Sequence, residues 1–499
     1  MTESQQSYRH ILKATSIFGG VQTLNTLFSI VRTKFIALWI GPEGMGIIGL
    51  LNTGLNLVGS LTDFGLGTSA VRDLAVSNER PDNKKTAETI GTIRRLVWLT
   101  GLLGAVAIIL FSPLLSRVAF GNDRFVTAFI WISLALFFKQ LTTGNLVILQ
   151  GLRKLNLLAK ANVWGSLAGL VFILPLYYYF RIEAIVPAIV MATVFSFLIS
   201  RHYAKKLSDT PKVSVRKALA EGKKMLGLGF LIGMGGLLNV VVAYLINAYI
   251  SFKGNIDQVG LYQAGFVIIN SYVGLVFNAL GTDYFPRLSA VCHDKIKTQK
   301  TVSEQALMGI LIITPIIVLF LAASPLIIRL LYAASFTPVA TYVKWAIMGM
   351  LFKAASWAMG YVIIARADSK VYSKTMVIFN VFLLTISVLG YTIDGLRGLG
   401  IAFFIYYIVH FVAIGIICHL RYGFRFSEGF YPIFLVSIGF CLLSFAATNI
   451  EADFWRHTAS GLLLLVSLGF TIYQLDKKIN FKAFIFEKLN KNNADGPLS

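Results

Sequence analysis

Residues 305–329 read QALMGILIITPIIVLFLAASPLIIR, and from Gln305 to Ile328 they carry no charge. About 20 apolar residues in a helix cross the hydrocarbon core of a bilayer. This stretch is long enough, and similar runs recur from Ile11 to Leu475. Of the 499 residues, 56% are hydrophobic and only 14% charged. A water-soluble chain of that size needs more polar surface. The chain therefore reads as an all-α integral membrane protein, with about 14 spans. They lie near 11–40, 45–71, 89–112, 125–150, 157–180, 183–203, 225–251, 258–286, 304–332, 339–365, 371–393, 398–420, 431–448 and 457–475.

The end of the opening stretch has a double. Ser324-Pro325-Leu326-Ile327-Ile328-Arg329 matches Ser112-Pro113-Leu114-Leu115-Ser116-Arg117. Gly46 matches Gly260, Leu66-Gly67-Thr68 matches Leu280-Gly281-Thr282, and Phe138-Lys139 matches Phe352-Lys353. The offsets are 212 residues for the first pair and 214 for the other three. Each repeat spans six helices, so both copies insert with the same orientation, as in carriers built from parallel repeats. The expected organisation is an N-lobe at 1–205, a basic linker at 206–222 and a C-lobe at 223–423. Two extra helices at 424–476 and a tail at 477–499 follow.

The formal charge of +22 is arranged by loop. Arg72, Arg80, Lys84, Lys85, Arg94 and Arg95 follow the second span. Arg201, Lys205, Lys206, Lys212, Arg216, Lys217, Lys223 and Lys224 follow the sixth. Later even-numbered loops and the tail continue the pattern, and about 33 of the 45 basic residues fall on one side. Lys and Arg collect in cytoplasmic loops, so both termini are expected inside. The charge reports topology and contact with anionic lipid, and no nucleic-acid motif accompanies it. Cys292, Cys418 and Cys441 have no metal or disulfide spacing. No resident cofactor is expected.

Ionisable residues at bilayer depth cost about 2.5–3.5 kcal/mol on insertion scales and usually face a cavity. The deep cations are Arg32, Lys139 and Lys353, with Lys34 and Lys344 closer to span ends. Lys139 and Lys353 are repeat mates. Lys344 and Lys353 stand nine residues apart on one helix and do not closely share a face. A cleft lined by Lys and Arg suits an anion, and phosphate or pyrophosphate fits both a guanidinium fork and an ammonium point charge. Asp63 and His410 are candidates for coupling to an H⁺ or Na⁺ gradient. Asp283 is a further acid near the inner end of the eighth span. No phosphate-binding loop of the G-x-x-x-x-G-K-[ST] type occurs, so a secondary carrier is expected rather than an ATPase.

Ile30 to Gly46, with Arg32, Lys34 and Gly41-Pro42-Glu43-Gly44, resembles the first hairpin of Wzx-type O-antigen and enterobacterial-common-antigen flippases. Val259-Gly260-Leu261-Tyr262-Gln263, Ala279 to Thr282 and Phe285 to Ser289 resemble the seventh-to-eighth helix region of that group. Phe352 to Ala355, Gly360 to Arg366 and Tyr372 resemble its tenth-helix region. The resemblance covers most of residues 10–423. It implies the multidrug/oligosaccharidyl-lipid/polysaccharide exporter superfamily, with two six-helix lobes forming a V around a central cavity. The implied activity is flipping of undecaprenyl-pyrophosphate-linked oligosaccharide across the inner membrane. The implied partners are that glycan, membrane lipids, and the polymerase or glycosyltransferases of the same pathway. In the lipid II branch a cavity arginine matches the place of Arg32. Thr33 stands where that branch has an acid, so a charge pair there does not carry over. The extra helices resemble, in position, a pair that guides a lipid tail.

Two other functions fit a polytopic chain less well. A multidrug or toxin antiporter of the same fold needs central carboxylates, and the deep charges here are mostly basic. A polymerase or ligase more often has a large outer loop, and every odd-numbered loop here is short.

Overall fold

The computed structural model describes residues 3–78, 83–205 and 213–479. Among them there is no strand. The helices are α1 (Glu3–Thr62), α2 (Leu66–Asn78), α3 (Asn83–Phe120), α4 (Val126–Gly151), α5 (Leu155–Phe180), α6 (Ile185–Lys205) and α7 (Val215–Lys253). They continue as α8 (Ile256–Val267), α9 (Leu275–Val291), α10 (Lys295–Leu331), α11 (Val339–Ala365), α12 (Ser369–Tyr422), α13 (Phe430–Ala447) and α14 (Asp453–Ile479). Helices are what a bilayer permits, because each satisfies its own backbone polar groups.

Eleven helical blocks are long and apolar enough to cross a membrane. Three of them contain a backbone break near the middle. α1 breaks at Gly41, with φ 65°. α5 passes into α6 through Arg181, with φ 52°. α12 breaks at Asp394 and at Gly395, with φ 50°. Glycine takes such a positive φ without steric penalty, and Pro42 removes a backbone donor beside the first break. Each break falls where the sequence reading separates two spans.

The described chain packs as two compact units, residues 1–264 with 330–336, and residues 265–329 with 337–499. In the first unit, α3 packs on α4, α4 and α5 on α6, and α7 against α1, α2 and α3. Leu66, Leu74, Ile93, Leu96, Ile148 and Met225 form part of the core where α2, α3, α4 and α7 meet. The second repeat, read as beginning near residue 223, thus gives its first helix to this unit's packing. In the second unit α11 lies against α9, α12 and α13, and α13 against α14. Tyr284 and Tyr342 are among its largest fully buried side chains.

The matched glycines have one physical cause. Within the first unit, a Cβ on Gly46 would collide with the Ile256 carbonyl, and one on Gly260 with the Pro42 carbonyl. The two repeat-mate positions face each other where α1 and α8 cross, and only hydrogen side chains let those backbones approach.

Polar corners fix other helix ends. Ser214 caps α7 by accepting from Lys217 N at 3.3 Å. Asp368 caps α12, accepting from Val371 N at 3.2 Å, from Tyr422 Oη at 3.1 Å and from Arg421 Nε at 3.4 Å. Those bonds hold its carboxyl below the ordinary range, the backbone bond from Val371 being the strongest influence. The 206–212 part of the expected linker and the tail beyond Ile479 lie outside the described residues.

Candidate functional site

Each repeat carries the same internal bond. Lys139, on α4, donates to Asn56 Oδ1 of α1 at 2.7 Å. Lys353, on α11, donates to Asn270 Oδ1 at 3.1 Å. Both pairs are separated by 83 residues along the chain. Asn56 and Asn270 are therefore repeat mates, as the lysines are. The asparagines were absent from the sequence reading, which looked for charge. Adding the 214-residue offset to Asn56 would have found them.

The surroundings of the two bonds differ. Lys139 is exposed. Its neighbour Gln140 is buried and donates to Asp63 Oδ1 at 2.6 Å and to Thr100 Oγ1 at 3.3 Å. Asp63 is also within electrostatic reach of Lys139. Lys353 is half-buried on α11, the most buried of the eleven blocks. Its ammonium lies 5.5 Å from the Phe277 ring centre and 5.3 Å from that of Tyr407. A cation over an aromatic face is attracted by the ring quadrupole. Asn270 itself stands in a short π-helical segment, Ile268–Val273. Such single-turn bulges re-aim side chains and recur at functional sites.

His410 neighbours the Lys353 environment through Tyr407, whose ring centre lies 6.1 Å from the imidazole and 5.3 Å from the Lys353 ammonium. Its ring packs 4.4 Å from Phe379 and 5.7 Å from Tyr406, and its Nδ1 is buried without a hydrogen-bond partner.

Arg32 is exposed and lines a first-unit cavity of about 270 Å³ with Thr33, Asn52, Tyr177 and Thr193. Asn52 and Asn56 are one turn apart on α1, so they share a face. That face links the Arg32 cavity to the Lys139 bond. Lys34 points elsewhere. Its ammonium donates to the Tyr332 carbonyl, and Tyr332 in turn donates to the Ala264 carbonyl at 3.0 Å. Lys344 is likewise separate from Lys353. It lines another cavity with Arg329, Arg456 and His457. Asp283 is spent in an exposed ion pair with Arg287, at 2.6 Å.

Arg94, Arg201 and Lys205, read from the sequence as topology charges only, gather around a cavity of about 490 Å³ beside Asn145, Trp98 and Phe197. Tertiary packing of α3, α4 and α6 brings them together, which no local pattern signals.

A family described as Polysaccharide biosynthesis protein matches residues 35–341, more than half of the chain. The chain belongs to this family. It is 25% identical over 332 residues to a putative O-antigen transporter of Shigella flexneri, covering 64% of this chain and 76% of that one. It is 22% identical over 390 residues to the lipid III flippase of Escherichia coli K12, covering 76% of this chain and 91% of that one. Its fold is similar to that of the lipid II flippase MurJ in an inward closed conformation, with TM-score 0.67 and 11% identity, covering 94% and 99% of the two chains. It is equally similar to an inward-facing multidrug resistance MATE family transporter of the MOP superfamily, with TM-score 0.67 and 15% identity, covering 80% and 94%. This family member has eleven helical blocks long and apolar enough to cross a membrane, and its all-α fold is similar to that of these transporters.

Proposed function

We propose that this chain flips an undecaprenyl-pyrophosphate-linked oligosaccharide, an O-antigen or related surface-polysaccharide unit, from the inner to the outer leaflet. The observation that carries the reading is the repeated lysine–asparagine bond. A chain that keeps one ammonium at the matching position of each of its two repeats offers a positive point in each repeat to an anionic head group. Arg32, beside Asn52, adds a planar fork from the first unit. The relatives named as an O-antigen transporter and a lipid III flippase support the substrate class.

In this reading Arg32 and Lys139 of the first unit, and Lys353 of the second, are the cations that engage the pyrophosphate in the course of alternating access. We infer fourteen crossings with both ends inside, and the membrane potential sets the direction. The anionic head group then moves toward the positive outer face, and one charge is worth about 2.3 kcal/mol per 100 mV. Asp63, bound through Gln140 near Lys139, and His410, packed near Lys353, are the groups placed to couple an H⁺ or Na⁺ gradient. Polymerase or glycosyltransferases of the same pathway supply and consume the lipid-linked glycan.

The test is flipping of a fluorescent polyprenyl-pyrophosphate-linked oligosaccharide in proteoliposomes, with wild type beside Lys139→Ala, Lys353→Ala and Arg32→Ala. Loss in folded, inserted variants is expected. Equal flipping by all four would remove the cationic site. A wild type that flips no such lipid under any ion gradient, yet exports organic cations, would replace the reading with a multidrug antiporter.

A further inference from the structure

A cavity of about 530 Å³ opens in the second unit at the end away from the basic loops. Its walls come from four helices. α10 breaks at Ala323, with φ −124° and ψ 17°, and Pro325 follows without a backbone donor. That break turns Ser324 and Arg329 toward the space. Lys344 enters from the first turns of α11, Thr448 from the end of α13, and Arg456 with His457 from the first turn of α14. Ser324 is fully buried, and its hydroxyl has no hydrogen-bond partner among the described residues. Among the described residues no carboxylate lines the cavity. The nearby Asp453 pairs with Arg456, which also donates to the Ile450 carbonyl at 3.5 Å. Lys344 and Arg456 line the same space.

The matching end of the first unit shows what is unusual. Arg117, the repeat mate of Arg329, makes a two-pronged bond to Asp123, at 2.8 and 3.0 Å. The place of Lys344 is taken there by Ile130. The first repeat thus balances its cation at this end with a local acid. The second repeat brings Lys344 to this end, together with Arg456 and His457 from α14, which has no counterpart in the repeat. Insertion rules put Lys and Arg at the opposite end of the helices, so they do not account for this cluster.

The rim is built for an amphiphile. Leu326, on the cavity wall, is 69% exposed, and Phe454 and Trp455 beside Arg456 are 72% and 65% exposed. Aromatic side chains of this kind settle at the level of lipid head groups. The volume is within the range of about 300–1,000 Å³ typical of small-molecule sites.

We propose that this cavity binds a phosphate group carried by a lipid of the outer leaflet, its oxygens on Lys344, Arg456, Arg329 and the Ser324 hydroxyl and its chain against Leu326. Two lipids offer that chemistry: an anionic phospholipid and a polyprenyl pyrophosphate. The site is separate from the Lys139 and Lys353 bonds, and its occupancy does not depend on transport.

Stepwise delipidation of the purified full chain, followed by native mass spectrometry, tests it. The probes are dioleoyl phosphatidylglycerol, undecaprenyl pyrophosphate and inorganic pyrophosphate. Wild type is expected to retain one lipid at least about tenfold more tightly than Lys344→Gln/Arg456→Gln, with binding restored in Lys344→Arg. Loss of phosphatidylglycerol in the double variant assigns a phospholipid, and loss of undecaprenyl pyrophosphate alone assigns the polyprenyl lipid. If the double variant fails to fold, Lys344→Gln carries the test, because Lys344 has no hydrogen-bond partner among the described residues. Lipid retention equal to wild type in folded variants would overturn the proposal. So would retention of inorganic pyrophosphate with neither lipid.

Discussion

Lys139 and Lys353 occupy equivalent places in two copies of one helical repeat, each bound to an equivalent asparagine. Their neighbourhoods have diverged. The first is exposed and has an acid within reach through Gln140. The second is half-buried under two aromatic rings, with the buried, unbonded Nδ1 of His410 nearby. What both repeats keep is a cation held by a neutral amide. An asparagine oxygen orients an ammonium without neutralising it, whereas a carboxylate would cancel the charge an incoming anion needs. The repeats therefore hold the position and sign of the charge fixed, while its accessibility varies.

The largest expected effect follows from that difference. Lys353→Ala removes a half-buried cation and leaves Asn270 and the ring faces without their partner. Hydrogen bonds to charged groups are worth about 1.5–3 kcal/mol, so flipping should fall about 10- to 100-fold. Lys139→Ala should fall less, because that side chain is exposed where Lys353 is enclosed by aromatic rings. Initial rates in proteoliposomes at matched protein density check both. A larger loss at Lys139 would reverse the comparison.

The double variant sharpens it further. If both ammonium groups grip one pyrophosphate, Lys139→Ala/Lys353→Ala should lose less than the product of the two single losses, since removing either already releases the ligand. Independent sites would instead give additive free energies within about 0.5 kcal/mol. The cycle thus separates one shared anion from two unrelated cations.

The asparagines come next. Asn270→Ala should slow flipping by about tenfold and Asn56→Ala by less, both with a larger change in half-saturating substrate than in maximal rate. Each amide positions a lysine that remains present, so the loss is a fraction of the lysine's own. Asn270→Asp is the informative partner. An acid beside Lys353 should slow flipping more than alanine does, because it cancels the charge. Rescue by aspartate would mean that the amide serves only as a hydrogen-bond acceptor.

Much of this architecture is written in local sequence. The apolar runs locate the helices, and Gly41 and Gly395 mark breaks in two blocks because positive φ favours glycine. The Gly46 and Gly260 match is legible as a repeat, although its cause, a backbone crossing, needed coordinates. Lys139 and Lys353 announce themselves as charges at depth. Asn56 and Asn270 do not, since an uncharged amide in a helix has many innocent explanations. Lys34 and Lys344 show the opposite limit. Sequence gives their depth, but helix rotation and the neighbouring backbone decide their direction. One reaches a carbonyl and the other a separate cavity. Arg32 required α5 and α6 to supply its walls, and nothing near residue 32 names Tyr177 or Thr193.

The smallest effect expected is on salt dependence. At about 0.15 M ionic strength exposed charges are screened beyond about 8 Å, whereas buried ones are screened much less. Raising salt on both sides of the vesicle should weaken the capture of an anionic head group at the exposed Lys139 more than at Lys353. Lys139→Ala should therefore flatten the salt dependence of half-saturation by about twofold over 0.05–0.5 M, and Lys353→Ala should leave its slope near that of wild type. A flattening in Lys353→Ala alone would place the water-accessible end of the path in the second unit, and the exposure of Lys139 would then be incidental to substrate entry.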